Sequence, residues 1–224
     1  MRKPAFDYRD FKLSKINEPR FVHLKLLLGW VGYFILFFLT ENIIPVERCT
    51  PVYCFIDDLI PFCEYFLIPY FGWYLLIVVS LIYFALYNVD NFKRLQIFII
   101  VTQVTAMIIY ITFPNRQDLR PEIFPRDNFF TDCLKLLYSL DTNTGVCPSL
   151  HCAYSIGIAS VWLKEKDSSV LTRIFVTLFC MLVCLSTMFV KQHSALDFFA
   201  AIPVCILAEI IACGSWWKAK FKKL

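Results

Sequence analysis

The sequence predicts an all-α, polytopic membrane protein: a six-transmembrane-helix bundle whose chemistry-bearing polar residues gather at the outer membrane-water interface. Three observations carry this reading. The 224-residue chain is 58% hydrophobic with a mean hydropathy of +0.61, above the roughly 45–50% apolar content of a soluble domain. Six stretches, at 24–44, 65–87, 95–113, 147–163, 170–190 and 196–213, approach the ~20 residues that cross a hydrocarbon core as a helix. With six spans the termini share a side, and sixteen of the 22 Lys and Arg fall on it. Cytoplasmic flanks carry that excess, so both termini are expected in the cytoplasm.

In chain order, residues 1–23 form a basic segment in which Arg2, Lys3, Arg9, Lys12, Lys15 and Arg20 are mixed with Phe6, Tyr8, Phe11, Leu13 and Ile16. It either lies on anionic lipid or stays solvated, and the neighbouring His23 reads as a surface or interfacial residue without chemistry. The first twenty residues lack the apolar run of a cleavable signal peptide, so the first span is expected to direct insertion. The transmembrane unit occupies 24–213, and 214–224 is a basic cytoplasmic tail. Between the first two spans, Asp57, Asp58 and Glu64 stand among Leu59, Ile60, Pro61 and Phe62. They either contact a cationic or polyol headgroup or form an interfacial turn whose partners are water and loop arginines.

Thr102, Gln103 and Thr105 of the third span suit hydrogen bonds between neighbouring helices. The longest connection, 114–146, is rich in Pro, Asp, Asn and Arg and long enough to cover a site as a lid. The fourth span is short, as suits a helix that is tilted little or one that begins partly inside a polar cavity. Five of the ten cysteines, Cys49, Cys54, Cys63, Cys133 and Cys147, lie in the two outer loops. An oxidising outer face would allow one or two disulfides there.

The chemistry concentrates at three places on that outer side. His193 and Asp197 are four residues apart where the last apolar segment begins, and residues at that spacing share a helix face. A carboxylate so placed fixes the imidazole tautomer and leaves the second nitrogen free to attack an electrophile; the plainer reading is a helix cap. His151, in Pro148-Ser149-Leu150-His151, opens the fourth span, and Arg116 and Arg120 follow the third. Charged groups converging at span ends from separate segments mark a functional site.

These residues resemble the three motifs of the type 2 phosphatidic acid phosphatase superfamily, KxxxxxxRP, PSGH and SRxxxxxHxxxD. Arg120-Pro121 matches the end of the first, Pro148-Ser149-Leu150-His151 the second with Leu150 in the glycine place, and Ser186, His193 and Asp197 the third. Phe113 stands where the first motif has lysine, and Thr187 where the third has arginine. The resemblance covers about 95–213, the active-site half, and the first two spans match only in layout.

It implies a membrane-embedded lipid phosphatase in which His193 attacks phosphorus to form a phosphohistidine. Asp197 would orient His193, and His151 would protonate the leaving alcohol and activate water. Phosphoryl transfer spreads charge over the equatorial oxygens, and Arg120, Arg116, Lys191, Ser149 and the amides at Leu150 are the expected phosphate-binding groups, with Arg116 and Lys191 standing in for the two missing family cations. His193, His151 and Asp197 also form a zinc-like donor set, but the flanking cations would repel a metal, so neither metal nor cofactor is expected. Two rivals stand beside hydrolysis: a phospholipid-headgroup phosphotransferase like the sphingomyelin and inositol phosphorylceramide synthases, with a lipid hydroxyl as acceptor, and a non-enzymatic transporter. The expected partners are a phosphorylated lipid substrate and membrane lipids, with no nucleic acid, and the expected location is the cell membrane.

Overall fold

The computed structural model describes residues 4–214; the basic tail, apart from Gly214, lies outside the described residues. Helix makes up 69% and strand 2% of the structure. Five helical runs are long and apolar enough to cross a membrane: Val22–Ile43, Glu64–Tyr87, Val89–Thr112, Val170–Phe189 and Ala195–Cys213. Within them lie α1 (Leu28–Ile43), α3 (Leu67–Tyr87), α4 (Val89–Thr112), α7 (Val170–Phe189) and α8 (Ala195–Cys213), while α2 (Ile56–Leu59) and α5 (Phe129–Leu140) are short elements of the connections.

The fourth expected span folds as α6, Leu150–Lys164. Its 15 residues reach about 22 Å, short of the roughly 30 Å hydrocarbon core. The physical reason is its position, since α6 packs against α3, α4, α7 and α8 at once. Cys152, Ala153, Tyr154, Ile158 and Val161 are almost fully buried on it, so its length is set by the surrounding bundle. The approach of α4 to α6 depends on Gly157, where an added Cβ would fall 2.4 Å from the Phe98 ring.

Helix α1 stands apart. It packs chiefly on α4, and Phe34, Ile35 and Phe38 are left exposed. At the end of the bundle where α6 and α8 begin, a two-residue parallel pair, β1 (Thr50–Pro51) with β2 (Asn115–Arg116), ties the connection after α1 to the one after α4. Asn115 is buried there; its Oδ1 accepts from the amides of Val146 and Cys147 and its Nδ2 donates to the Cys147 carbonyl. One side chain thus fixes the approach to Pro148-Ser149. The long 114–146 connection contains α5, capped by Asn128, with Leu134 and Thr131 buried and Phe129, Leu136 and Leu140 exposed.

At the opposite end the N-terminal segment folds back, and the amides of Ala5 and Phe6 donate to the Leu86 carbonyl. His23 is buried there, 2.8 Å from the Tyr8 hydroxyl, which corrects its reading as a surface residue. All ten cysteines are unpaired, those of the two connections included.

Gly157→Ala is expected to destabilise the bundle by about 1–3 kcal/mol through overpacking against Phe98. A fall in the thermal midpoint in detergent reads this out; an unchanged midpoint would mean that the Phe98 ring moves aside freely.

Candidate active site

The start of α8 is a capping box, in which the Asp197 Oδ2 accepts from the Ser194 amide at 3.0 Å. The same oxygen lies 3.0 Å from His193 Nδ1, so one carboxylate oxygen both caps the helix and fixes the ring. Asp197 is fully buried and His193 nearly so. The Asp197 main-chain carbonyl accepts from the Ser149 amide at 3.1 Å, which brings the starts of α6 and α8 together. His151 therefore meets His193, with its Nδ1 at 3.3 Å from His193 Nε2.

Aromatic packing holds His151, whose ring lies 4.8 Å from that of Tyr70 and 4.2 Å from that of Trp73. With Nδ1–H of His193 donated to the carboxylate, the Nε2 lone pair accepts the Nδ1–H of His151. The His151 Nε2 and the Trp73 Nε1 are buried without hydrogen-bond partners among the described residues. Burial works to push the His193 pKa down, but the Asp197 hydrogen bond and charge outweigh it and hold the imidazole above its ordinary value of 6.5.

The turn that delivers His193 has a specific cause. At the end of α7 the Lys191 amide donates to the Met188 carbonyl, and those of Gln192 and His193 to the Thr187 carbonyl. This is the Schellman pattern, with Lys191 in the left-handed position, φ 50°. A non-glycine residue there costs on the order of 1 kcal/mol. The Lys191 ammonium donates to the carbonyls of Asp57 (3.0 Å) and Ile60 (2.6 Å), which offsets that cost.

Lys191 is thereby a brace, with its charge turned onto loop carbonyls. Arg116 is engaged likewise, bonded to Asp118 and to the Val46 and Cys49 carbonyls. The Arg120 guanidinium donates to the carbonyls of Tyr138, Asp141 and Thr142 and, at 2.6 Å, to Gln192 Oε1. Of the three expected phosphate cations, only Arg120 is linked by a side chain to a residue adjoining His193. Ser149 is the buried N-cap of α6, its Oγ accepting from the Cys152 amide, and Leu150 lines the cavity described below.

The acids first considered as headgroup contacts are held internally. Asp57 is buried and accepts from Ser194 Oγ (2.5 Å), the Ala195 amide (2.7 Å) and the Cys54 amide (2.8 Å). Glu64 is buried in a bidentate pair with Arg126 and a further bond to Asn128, the loop-arginine alternative. Asp58 accepts from the Tyr53 hydroxyl on the surface.

A cavity of about 840 Å³ opens beside the histidines, between α1, α3 and the 137–146 segment. Its apolar walls include Trp30, Phe37, Ile77 and Leu137, and both histidines lie on its surface. Two further polar lining residues, Gln192 and Asp141, escaped the sequence reading. The Gln192 amide nitrogen donates to Asp141 Oδ2 at 3.1 Å, completing a chain Arg120–Gln192–Asp141. Burial raises the Asp141 pKa against the opposing charge of Arg120, and lowers that of Arg120 against the charge of Asp141. The one sequence signal for Gln192 was its place directly before the proposed nucleophile. Among the described residues, no group of three or more His, Cys, Asp or Glu is disposed to hold a metal ion.

No protein-family model, curated protein or solved structure matches the chain.

Lys191→Gly should retain more stability than Lys191→Ala, by about 1 kcal/mol, because both lose the ammonium bonds while only glycine escapes the left-handed penalty. Equal midpoints in thermal denaturation would remove the conformational argument. Asp197→Asn removes the charge that holds a proton on His193, so its titration midpoint, read by imidazole NMR and assigned with His193→Ala, should move to lower pH. The raised value also means that His193 protonation favours the fold at low pH, a contribution that fades as pH rises through the folded value. An unmoved midpoint in Asp197→Asn would deny Asp197 this role.

Proposed function

We propose that this chain is a membrane-embedded lipid phosphatase of the type 2 phosphatidic acid phosphatase kind, acting through a phosphohistidine on His193. The observation that carries the reading is the hydrogen-bonded series Asp197–His193–His151, at 3.0 Å and 3.3 Å, on the wall of an apolar cavity. In this reading α6 is a sixth, inset span, both termini are cytoplasmic, and the site faces the outer side of the cell membrane.

The facing nitrogens of the two rings share one hydrogen bond, so substrate must enter between them before attack. His193 Nε2 then gives its lone pair to phosphorus as the P–O bond to the lipid breaks, and His151, entering this step as the imidazolium, delivers a proton to the departing oxygen and is left neutral. In the second half His151 takes a proton from water, the hydroxide attacks phosphorus, and the P–N electrons return to Nε2. Asp197 supports the positive charge that develops on His193. Donors for the equatorial oxygens are the buried Trp73 N–H and the amides of Leu150 and His151 at the start of α6, which an α-helix leaves without intrahelical partners, the Cys152 amide being capped by Ser149 Oγ. The step needs no metal or cofactor, since every proton and electron pair is held on these side chains or on water.

One observation favours a second acceptor. Among the described residues, the cavity is lined mainly by apolar and aromatic side chains, Leu150 among them, and by neither Lys nor Arg. A lipid hydroxyl is at home on such walls, which gives the headgroup phosphotransferase its support.

His193→Ala should abolish phosphoenzyme formation. His151→Ala should lower lipid turnover by roughly 10²–10⁴-fold, the worth of a general acid. A nitrophenyl phosphate, whose leaving group needs no acid, should still load the His151→Ala protein in EDTA with an acid-labile, base-stable label. Label retained on His151→Ala/His193→Ala would place the nucleophile elsewhere.

A further inference from the structure

Helix α5 carries more apolar surface than its packing uses. Thr131, Leu134 and Tyr138 recur at the three- and four-residue steps of one helix face, the first two fully buried and Tyr138 partly so. Asp132, Lys135 and Ser139 form an exposed polar strip, in which the Lys135 ammonium bonds Asp132 and Asp127. Phe129, Cys133, Leu136 and Leu140 make a third strip, again at the spacing of a single face. Its large side chains have no partner in the bundle, since Phe129, Leu136 and Leu140 are 75%, 60% and 77% exposed.

Both ends of the helix are tied down. At its start, Arg126 and Asn128 donate to the buried carboxylate of Glu64, the first residue of the run that contains α3. At its end, the Arg120 guanidinium donates to the carbonyls of Tyr138, Asp141 and Thr142, a cation where a helix C-terminus favours one. The Tyr138 hydroxyl adds a bond to the Val190 carbonyl at the end of α7. The exposed strip is thus held in one orientation. It also continues the apolar surface of α3, where Ile68, Leu75, Val79 and Ile82 are exposed on one face of a run long and apolar enough to cross a membrane. Tyr65 stands one turn before Ile68; its ring meets that of Phe130 at 5.3 Å, and the Phe130 ring meets that of Phe129. Hydrocarbon covering that face of α3 therefore reaches the apolar strip of α5 across aromatic rings alone.

We infer that α5 is an in-plane membrane helix: its strip of Phe129, Leu136 and Leu140 lies in the lipid leaflet at the His193 end of the bundle, and its strip of Asp132, Lys135 and Ser139 faces headgroups and water. The partner of this surface is the bilayer itself. An amphipathic helix so placed sinks its apolar face by about 5–10 Å into the boundary between headgroups and acyl chains. Asp141, the C-cap of α5, accepts from Gln192 next to His193. The depth of the helix therefore sets how far the two histidines stand from the acyl layer. This placement holds whatever reaction His193 performs.

The test introduces the photoreactive residue p-benzoylphenylalanine at one position at a time in the full-length protein, reconstituted into phosphatidylcholine vesicles containing some phosphatidylglycerol. Replacing Phe129 or Leu136 samples the apolar strip, and replacing Asp132 or Ser139 samples the polar one. All four side chains are exposed, so the fold is kept, and none of the four lines the cavity, so any captured lipid comes from the leaflet. After illumination, mass spectrometry should find about tenfold more lipid adduct from the apolar strip than from the polar one, as an interfacial helix requires.

Equal yields from the two strips, or crosslinks from the Phe129 and Leu136 positions to a second copy of the chain in place of lipid, overturn the inference. The nitrophenyl phosphate label keeps the two readings apart. A labelled His193 without the lipid adducts sinks the membrane placement of α5 alone, and lipid adducts without any labelled histidine sink the catalytic reading alone.

Discussion

The site depends on a single carboxylate oxygen. Asp197 Oδ2 accepts the Ser194 amide that starts α8 and the His193 ring nitrogen one residue earlier, so the helix cannot begin correctly without also aiming the imidazole. Secondary structure and ring orientation are thereby one interaction. The main chain of the same residue receives the Ser149 amide, which brings His151 to the same point. Asp57 secures the arrangement from outside, its two carboxylate oxygens holding Ser194 and Ala195 from across the fold.

Around this point the bundle divides its labour by exposure. Helix α6 is enclosed by four others and carries His151 at its recessed start, where Tyr70 and Trp73 hold the ring. An enclosed helix has no lipid to satisfy and can be short. Helix α1, with most of its surface open, contacts few neighbours and leaves the space between itself and α3 that becomes the cavity. The histidines thus stand where a protected polar layer meets an apolar space open along one side.

The cations act at one remove from that layer. Lys191 holds the Schellman turn that delivers His193, Arg116 ties the connection after α1 to the connection after α4, and Arg120 reaches the site through Gln192. Each has found carbonyl oxygens of loops, which in a low-dielectric setting bind a cation firmly and leave it little to offer an anion. Among the described residues, the cavity wall carries the Asp141 carboxylate and neither Lys nor Arg, with Arg120 acting on that carboxylate from behind.

The sequence by itself determined the features that depend on spacing along one segment. Hydropathy marked the apolar helices, and the four-residue step from His193 to Asp197 marked the pair, although His193 stands before the N-cap Ser194 and outside α8, so their contact comes from the capping box and not from a shared helix face. The amphipathic run after Asn128 also carried the signal for α5, hidden within a connection read as a lid. What only the tertiary structure decided is where each charge is satisfied. Lys191 looked available beside His193, yet its partners are the carbonyls of Asp57 and Ile60; Glu64 found Arg126, and Arg116 found Val46 and Cys49. Asp141 and Gln192 gained their place beside the histidines in the same way. A carbonyl oxygen is present at every residue and leaves no mark in the sequence, so which of them captures a cation follows only from how the loops meet in space.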